Sequence, residues 1–319
     1  MMLAGRFLLP VLLLWSQSML ADQQSMDLLK RMSQAATSLN YDGVFIHVDK
    51  QRIDTLRVIH KIDNGSVHER LYALNGNPRE VIRDAERVWC FMPESKRGHM
   101  GLRSDRQTGF PGFMVSNLEA LSAHYRFSLG EIDRVADRAA RQLKILPGDA
   151  YRYGYELWAD KETGLLLKSV LIDEQSNPVE QYMFASINID IDIPAADLLP
   201  MTSKDELQWI DDKEPKMVTV NDSLWAFSTL PAGYKLIKVM QRSMPMDRME
   251  VQHMVLSDGL AGVSVFIEKT KQPGVQSHHE QMGAVNAYAR VIDDWLVTVI
   301  GEVPAETVKF IAENLQQKQ

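Results

Sequence analysis

The sequence predicts an α+β protein made of two antiparallel-sheet units, and three observations predict it. Segments that alternate apolar and polar residues, or concentrate β-branched and aromatic ones, follow one another with turn formers between them. Examples are 63-DNG-65 and 75-NGNP-78, and no strand–helix alternation intervenes. Helical spacing is confined to a few stretches. Around 192–216 the apolar alternation gives way to prolines and charges, the composition of a boundary between units.

Taken in order, Arg6 precedes an apolar run from Phe7 to Trp15, and Ala21 is a small residue before Asp22. This reads as a secretory signal peptide over 1–21, whose apolar run is about half the ~20 residues needed to span a bilayer. The remaining chain is expected to be exported and soluble. Met26, Leu29, Met32, Ala36 and Leu39 recur at three-to-four spacing and predict an amphipathic helix over 25–39. Strands are predicted at 43–48, 53–62, 66–74, 79–83 and 86–92. The stretch 95-SKRGHMGLRSDRQTGFPGF-113 carries four glycines and a proline and reads as a long loop. A short helix is predicted over 116–124, with Ser116 as cap and Glu119 three residues on. Strands resume at 124–130, 133–146, 151–159, 165–174 and 179–191.

These elements define a first unit over 22–192, a linker over 193–216 and a second unit over 217–319. The second unit has strands near 234–242, 248–257, 261–269, 284–291 and 294–301. A helix over 304–316 closes it, with Pro304 suited to a first helical turn.

The chain has 35 basic and 42 acidic residues, a net charge of −7. An acidic chain without a basic domain does not neutralise phosphates, so a nucleic-acid partner is not expected. Cys90 is the only cysteine, so no intramolecular disulfide forms and core burial must supply stability. Its place in 88-VWCFM-92 suits a small buried hydrophobe. His278-His279-Glu280 brings metal-ligand types together. Neighbouring residues on a strand point to opposite faces, and no third ligand follows at a recognisable spacing, so a solvated polar loop is expected there. Nucleophile elbows, phosphate loops, zinc motifs and dinucleotide fingerprints do not occur. No catalysis, cofactor or metal is expected.

Three features fit binding instead. Leu56, Val58, Tyr153, Tyr155, Leu157, Leu167, Leu171 and Met183 are candidates for an apolar sheet face. Two helices are little cover for so many strands, which leaves two readings: a fully packed core, or a cavity for an acyl chain. Arg97, Arg103 and Arg106, in the glycine-rich loop, are either phosphate contacts at the mouth of such a cavity or a solvated charged loop. Met244, Met246 and Met249, close to Met240 and Met254, are either an adaptable partner-binding surface or core filling.

Several long stretches, in order along most of the chain, resemble the RseB/MucB family of periplasmic regulators. They are 41-YDGVFIHV, 69-ERLYALNGNPREVIRD, 151-YRYGYELWADKETGLLLKS, 257-SDGLAGVSVFIEK and 283-GAVNAYARVIDDWLVTVIGEVP. The resemblance implies a first unit similar to lipoprotein carriers of the LolA kind, a curved antiparallel half-barrel with covering helices. A smaller C-terminal sheet with a helix follows. It further implies a non-enzymatic periplasmic protein that binds the periplasmic part of an RseA/MucA-like membrane anti-sigma factor and shields it from site-one proteolysis. Lipopolysaccharide or another amphiphile would release it. Self-association, as a homodimer or higher oligomer, is a further expectation. A periplasmic lipid or lipoprotein carrier is the alternative function.

Overall fold

The computed structural model describes residues 9–50, 52–103, 118–211, 214–243, 250–270 and 277–318. Helix α1 (Leu9–Ser38) runs through the expected cleavage point into the predicted amphipathic segment. Strands β1 (Tyr41–Asp49), β2 (Ile53–Asp63), β3 (Ser66–Ala73), β4 (Glu80–Arg83), β5 (Arg87–Met92) and β6 (Arg97–Leu102) follow. After α2 (Leu118–Ser122) come β7 (Tyr125–Val135), β8 (Arg138–Pro147), β9 (Gly154–Asp160), β10 (Leu166–Ile172) and β11 (Pro178–Ile189). With β12 (Gln208–Asp211) they form one large curved sheet of order β12-β6-β5-β4-β3-β2-β1-β11-β10-β9-β8-β7. Every pairing in it is antiparallel except β12 with β6.

Alternation explains the strands. In β1 the residues Tyr41, Gly43, Phe45 and His47 face inward and their neighbours are half-buried. Gly43 is needed there, because a Cβ would fall 2.6 Å from the Phe184 ring. Helix α1 lays Leu28, Leu29 and Met32 on Leu143, Ile145 and Leu157. Ala35 packs with Phe45, Val58 and Leu167. Each large apolar side chain buried this way contributes roughly 1.5–3 kcal/mol.

Two expectations for the first unit are corrected. The predicted loop from 95 contains strand β6, because Gly98 is a close-approach residue rather than a loop former. The Trp209 indole lies 2.6 Å from where a Cβ at position 98 would stand. Strand β7 also runs past the expected break at 131–132. A register shift between Leu129 and Ile132 absorbs Gly130, and the turn falls at Ala136–Asp137, both at positive φ.

Residues 193–211 run along the face opposite α1. Lys61 donates to the Ile193 carbonyl (2.8 Å), Arg70 to the Asp197 carbonyl (2.9 Å), and the Met201 amide to Glu80 (3.0 Å). Trp209 meets the Phe91 ring edge-on at 5.1 Å, and Lys204 lies over the Trp89 ring.

The second unit contains β13 (Lys216–Val218), β14 (Trp225–Phe227), β15 (Lys235–Ser243), β16 (Glu250–Ser257), β17 (Gly262–Lys269) and β18 (His278–Met282). It continues with β19 (Val285–Ile292), β20 (Trp295–Gly301), α3 (Ala305–Glu313) and β21 (Leu315–Gln317). Seven strands form an antiparallel sheet of order β13-β15-β16-β17-β20-β19-β18, and β14 pairs with β21. Val308, Ile311 and Ala312 of α3 are buried with Val265, Val297 and Val299. The His278-His279-Glu280 segment, expected as a loop, is strand β18. It is solvated as expected, and His279 reaches Asn286 at 2.8 Å.

His253 makes this sheet acid-sensitive. Its ring stacks on Phe266 at 4.3 Å, with Nε2 3.0 Å from the Ser264 hydroxyl. Burial, followed by the charges of Arg242 and Lys238, pushes its pKa down to about 4. Because the unfolded chain binds this proton near pH ~6.5, the stabilisation is complete above that pH and is lost as pH falls toward the folded value. Unfolding in urea should cost about 2 kcal/mol less at pH 4.5 than at pH 7 through this group alone. His253→Gln should remove that part of the pH dependence.

Candidate functional site

Register assigns most of the candidate sheet residues to one face. Leu56 stands opposite Phe45, Val58 opposite Gly43, Tyr155 opposite Leu171, and Leu157 opposite Ser169. Leu167 falls in the register shift between Leu166 and Lys168, where alternation assigns no face, and is buried in the cluster of Ala35, Phe45 and Val58. Met183 does not join them. It pairs with Ile46 and Lys168, whose side chains alternate to the other face.

The shared face divides in two. Val58, Leu157 and Leu167 are no more than 1% exposed, filled in by α1 and its neighbours. Leu56 is half-buried, as are Leu71, Val81 and Cys90, which continue the face across β3 to β5. Packed core and partly open apolar face are therefore both present on one sheet, and they meet on β2, which carries both Val58 and Leu56.

Among the basic residues, Arg97 is exposed at the start of β6. Arg103 donates through Nη1 to the carbonyls of Val67 (2.9 Å) and Asp84 (2.6 Å), which makes it a brace between β3 and the β4–β5 turn. Arg106 lies outside the described residues, as do Met244, Met246 and Met249. Of the same methionine cluster, Met240 and Met254 are buried, which is core filling.

Tyr153 leads to a feature that the sequence did not expose, a polar seam between the two units. Its hydroxyl accepts from Asn286 Nδ2 (3.1 Å), and its ring packs with Leu171, Val179 and Ala284. Beside it Arg152, wholly buried, donates through Nε to Asp258 Oδ2 at 2.6 Å. Further donation goes to Asp149 and to the Ala232 carbonyl. Tyr125 donates to the same Asp258 oxygen at 2.8 Å, and the other oxygen accepts the amides of Leu260 and Ala261. Thr307 and Tyr234 both donate to the Tyr151 carbonyl, and the Tyr151 and Phe310 rings lie 5.2 Å apart. Burial opposes the Arg152 charge, but Asp258 outweighs it and holds the pKa above the ordinary arginine value. Burial and then Asp258 raise the Tyr125 phenol.

His47 is likewise more than the isolated histidine the sequence suggests. It stacks on Tyr182 and pairs with Glu180, which holds its pKa above the usual value against the effect of burial. Among the described residues no group of three His, Cys, Asp or Glu is arranged to hold a metal ion. The site offers apolar surface, buried ion pairs and strand edges, the means of binding and coupling.

Residues 24–202 match the MucB/RseB N-terminal domain, and residues 219–316 match the MucB/RseB C-terminal domain. The chain belongs to the MucB/RseB family. Sigma-E factor regulatory protein RseB of Escherichia coli K12 is 28% identical over 95% of this chain and 94% of its own length. Sigma factor AlgU regulatory protein MucB of Pseudomonas aeruginosa is 29% identical, over 91% of this chain and 90% of its own. The solved Pseudomonas aeruginosa MucA/MucB complex contains a chain that superposes with a TM-score of 0.74 at 29% identity. The match covers 93% of this chain and 99% of that one. A crystal structure of MucB in complex with MucA(peri) gives a TM-score of 0.72 at 28% identity, over 92% of this chain and 99% of that one. In this MucB/RseB-family chain the seam joins the two matched domains, with Arg152 on one side and Asp258 on the other.

Proposed function

We propose that this MucB/RseB-family chain is a periplasmic negative regulator of an envelope-stress sigma factor. It binds the periplasmic part of a MucA/RseA-like membrane anti-sigma factor and shields it from site-one proteolysis. Lipopolysaccharide or a related amphiphile releases it. The observation that carries this reading is the likeness, over both domains, to MucB chains solved with MucA. The half-buried apolar face across β2 to β5 is the candidate amphiphile surface.

Release requires that the amphiphile favour a form with weaker partner affinity, since a ligand without such a preference shifts nothing. The buried seam offers a physical route, because β9 and the residues before it carry both the sheet face (Tyr155, Leu157) and the contacts to the second domain (Arg152, Tyr153). The lipid-carrier alternative uses the sheet face and leaves the seam and second domain without a role.

The test is retention of the MucA periplasmic domain on the immobilised full chain during titration with lipid A. Retention should fall as lipid saturates. Undiminished retention at saturating lipid would sink the release mechanism, and failure to retain the partner at all would sink the regulator reading.

A further inference from the structure

Beyond the Arg152–Asp258 pair, the two domains also meet at the ends of β1, β10 and β11, where the first domain presents ionisable side chains. Ala284 of the second domain packs with Tyr153, Leu171 and Val179. A Cβ at Gly283 would stand 3.5 Å from Asp49 Oδ2, so the β18–β19 turn rests against the end of β1. Asn286, 1% exposed, donates to the Tyr153 hydroxyl (3.1 Å) and to the Val303 carbonyl (2.8 Å), and it pairs with Gly301 across β19 and β20. Glu302 lies between Gly301 and Val303, so one asparagine fixes its backbone at the junction.

On the first-domain side stands His47, 8% exposed. Its Nε2 is 2.5 Å from Glu180 Oε1 and its Nδ1 is 3.7 Å from Asp54. Register places His47 opposite Tyr182 and Asp49 opposite Glu180, all four on one face of the sheet. The Tyr182 hydroxyl donates to Glu180 at 3.0 Å.

The charges around this imidazole sort by partner. Arg52 lies 3.4 Å from Asp49 and 3.3 Å from Asp54, and Arg79 lies 3.0 Å from Asp54. Lys50 acts on Asp173 in the β10–β11 turn, and Asp258 has Arg152. That leaves one carboxylate from each domain, Glu180 in contact with His47, and Glu302. Protein packed around the Glu302 carboxyl, then the Glu180 charge, raise its pKa, and His47 lowers it. Burial opposes the charge on His47, but Glu180, followed by Asp49 and Asp54, outweighs burial and holds the proton to higher pH than a free imidazole does.

We infer that His47, Glu180 and Glu302 form a proton-operated clasp between the domains. The imidazolium neutralises one carboxylate from each domain and keeps the junction closed, and loss of its proton leaves the two carboxylates opposed. A histidine is suited to this role because its charge changes within the ordinary range of external pH. The clasp is complete below the unfolded-chain value near pH ~6.5 and is lost as pH rises through the higher folded value of His47. Glu302, whose pKa is also raised, acts in the same direction. The inference needs neither the anti-sigma partner nor the amphiphile.

The experiment uses the full chain and reads two quantities across the same pH series, from about pH 6 to about pH 9. The first is the titration of the His47 ring by NMR, assigned with His47→Gln. The second is protection of the 284–287 amides from hydrogen exchange, expressed relative to the unstructured chain. In wild type that protection should fall about tenfold with rising pH, with the midpoint of the His47 titration. Glu302 is exposed, so Glu302→Gln should fold normally. It should weaken proton binding by His47 about threefold and cut the loss of protection to about twofold or less. Glu250→Gln, exposed at the start of β16, should match wild type in both. An unchanged His47 titration in Glu302→Gln would mean that the second domain's carboxylate does not act on the imidazole, and the clasp fails. Wild-type protection that stays constant while His47 titrates would make the cluster an ion pair internal to the first sheet, and overturns the inference equally.

Discussion

Arg152→Ala will destabilise the chain by about 3–5 kcal/mol, the range for removing one partner of a buried ion pair. It will also separate urea unfolding into two transitions. Neither Arg152 nor Asp258 has side-chain exposure to solvent. Without the guanidinium, Asp258 keeps the Tyr125 hydroxyl and two turn amides but no counter-charge. The variant also removes the cation stacked 4.8 Å over the Tyr234 ring and the donor to Ala232, so several seam contacts fail together. Cooperativity between domains depends on such contacts, and a chain of two loosely joined domains departs from all-or-none unfolding. The double variant Arg152→Met/Asp258→Asn discriminates the cause. Replacing both charges removes the stranded carboxylate while Asn still caps the Leu260 and Ala261 amides, so most of the loss should be recovered. If the double variant is as unstable as the single one, packing around Arg152, and not its charge, holds the seam.

The seam also marks the limit of what the sequence made legible. Strand order along the chain, α1 and α3 were readable because each is written in local periodicity. Tyr41, Gly43, Phe45 and His47 alternate inward within nine residues, and Met26, Leu29 and Met32 recur at helical spacing. Arg152 and Asp258 lie 106 residues apart, and no local pattern links them. In 151-YRYGY the arginine looks like the solvent side of an alternating strand, yet it is buried because the second domain covers it. Glycine misled for a related reason. In the stretch from 95 it suggested a loop, but Gly98 serves a close approach by Trp209, a residue more than a hundred positions away. The family resemblance was readable from long ordered stretches, and it supplied the curvature of the first sheet that periodicity alone left open.

Leu157→Ala will cost about 2–5 kcal/mol of stability, the range for a buried leucine truncated to alanine. The residue is wholly buried, opposite Leu143 on one side and Ser169 on the other, and in one cluster with Leu28, Leu29 and Met32. Met32 is flexible enough to fill part of the void, which argues for the lower half of that range. Leu56→Asp should behave in the opposite way. Leu56 is half-buried on the same face, at the open border of the cluster that holds Phe45 and Val58, so the polar replacement keeps access to water and leaves stability less affected. If the open half of the face receives an amphiphile, Leu56→Asp should weaken capture of a fluorescent lipid probe, and Leu157→Ala should capture it normally below its own melting temperature. The reverse result, lipid capture lost in Leu157→Ala with Leu56→Asp unaffected, would mean that α1 lifts from the sheet to admit the ligand. Helix α1 would then be a lid over the binding site and not a fixed cover of the core.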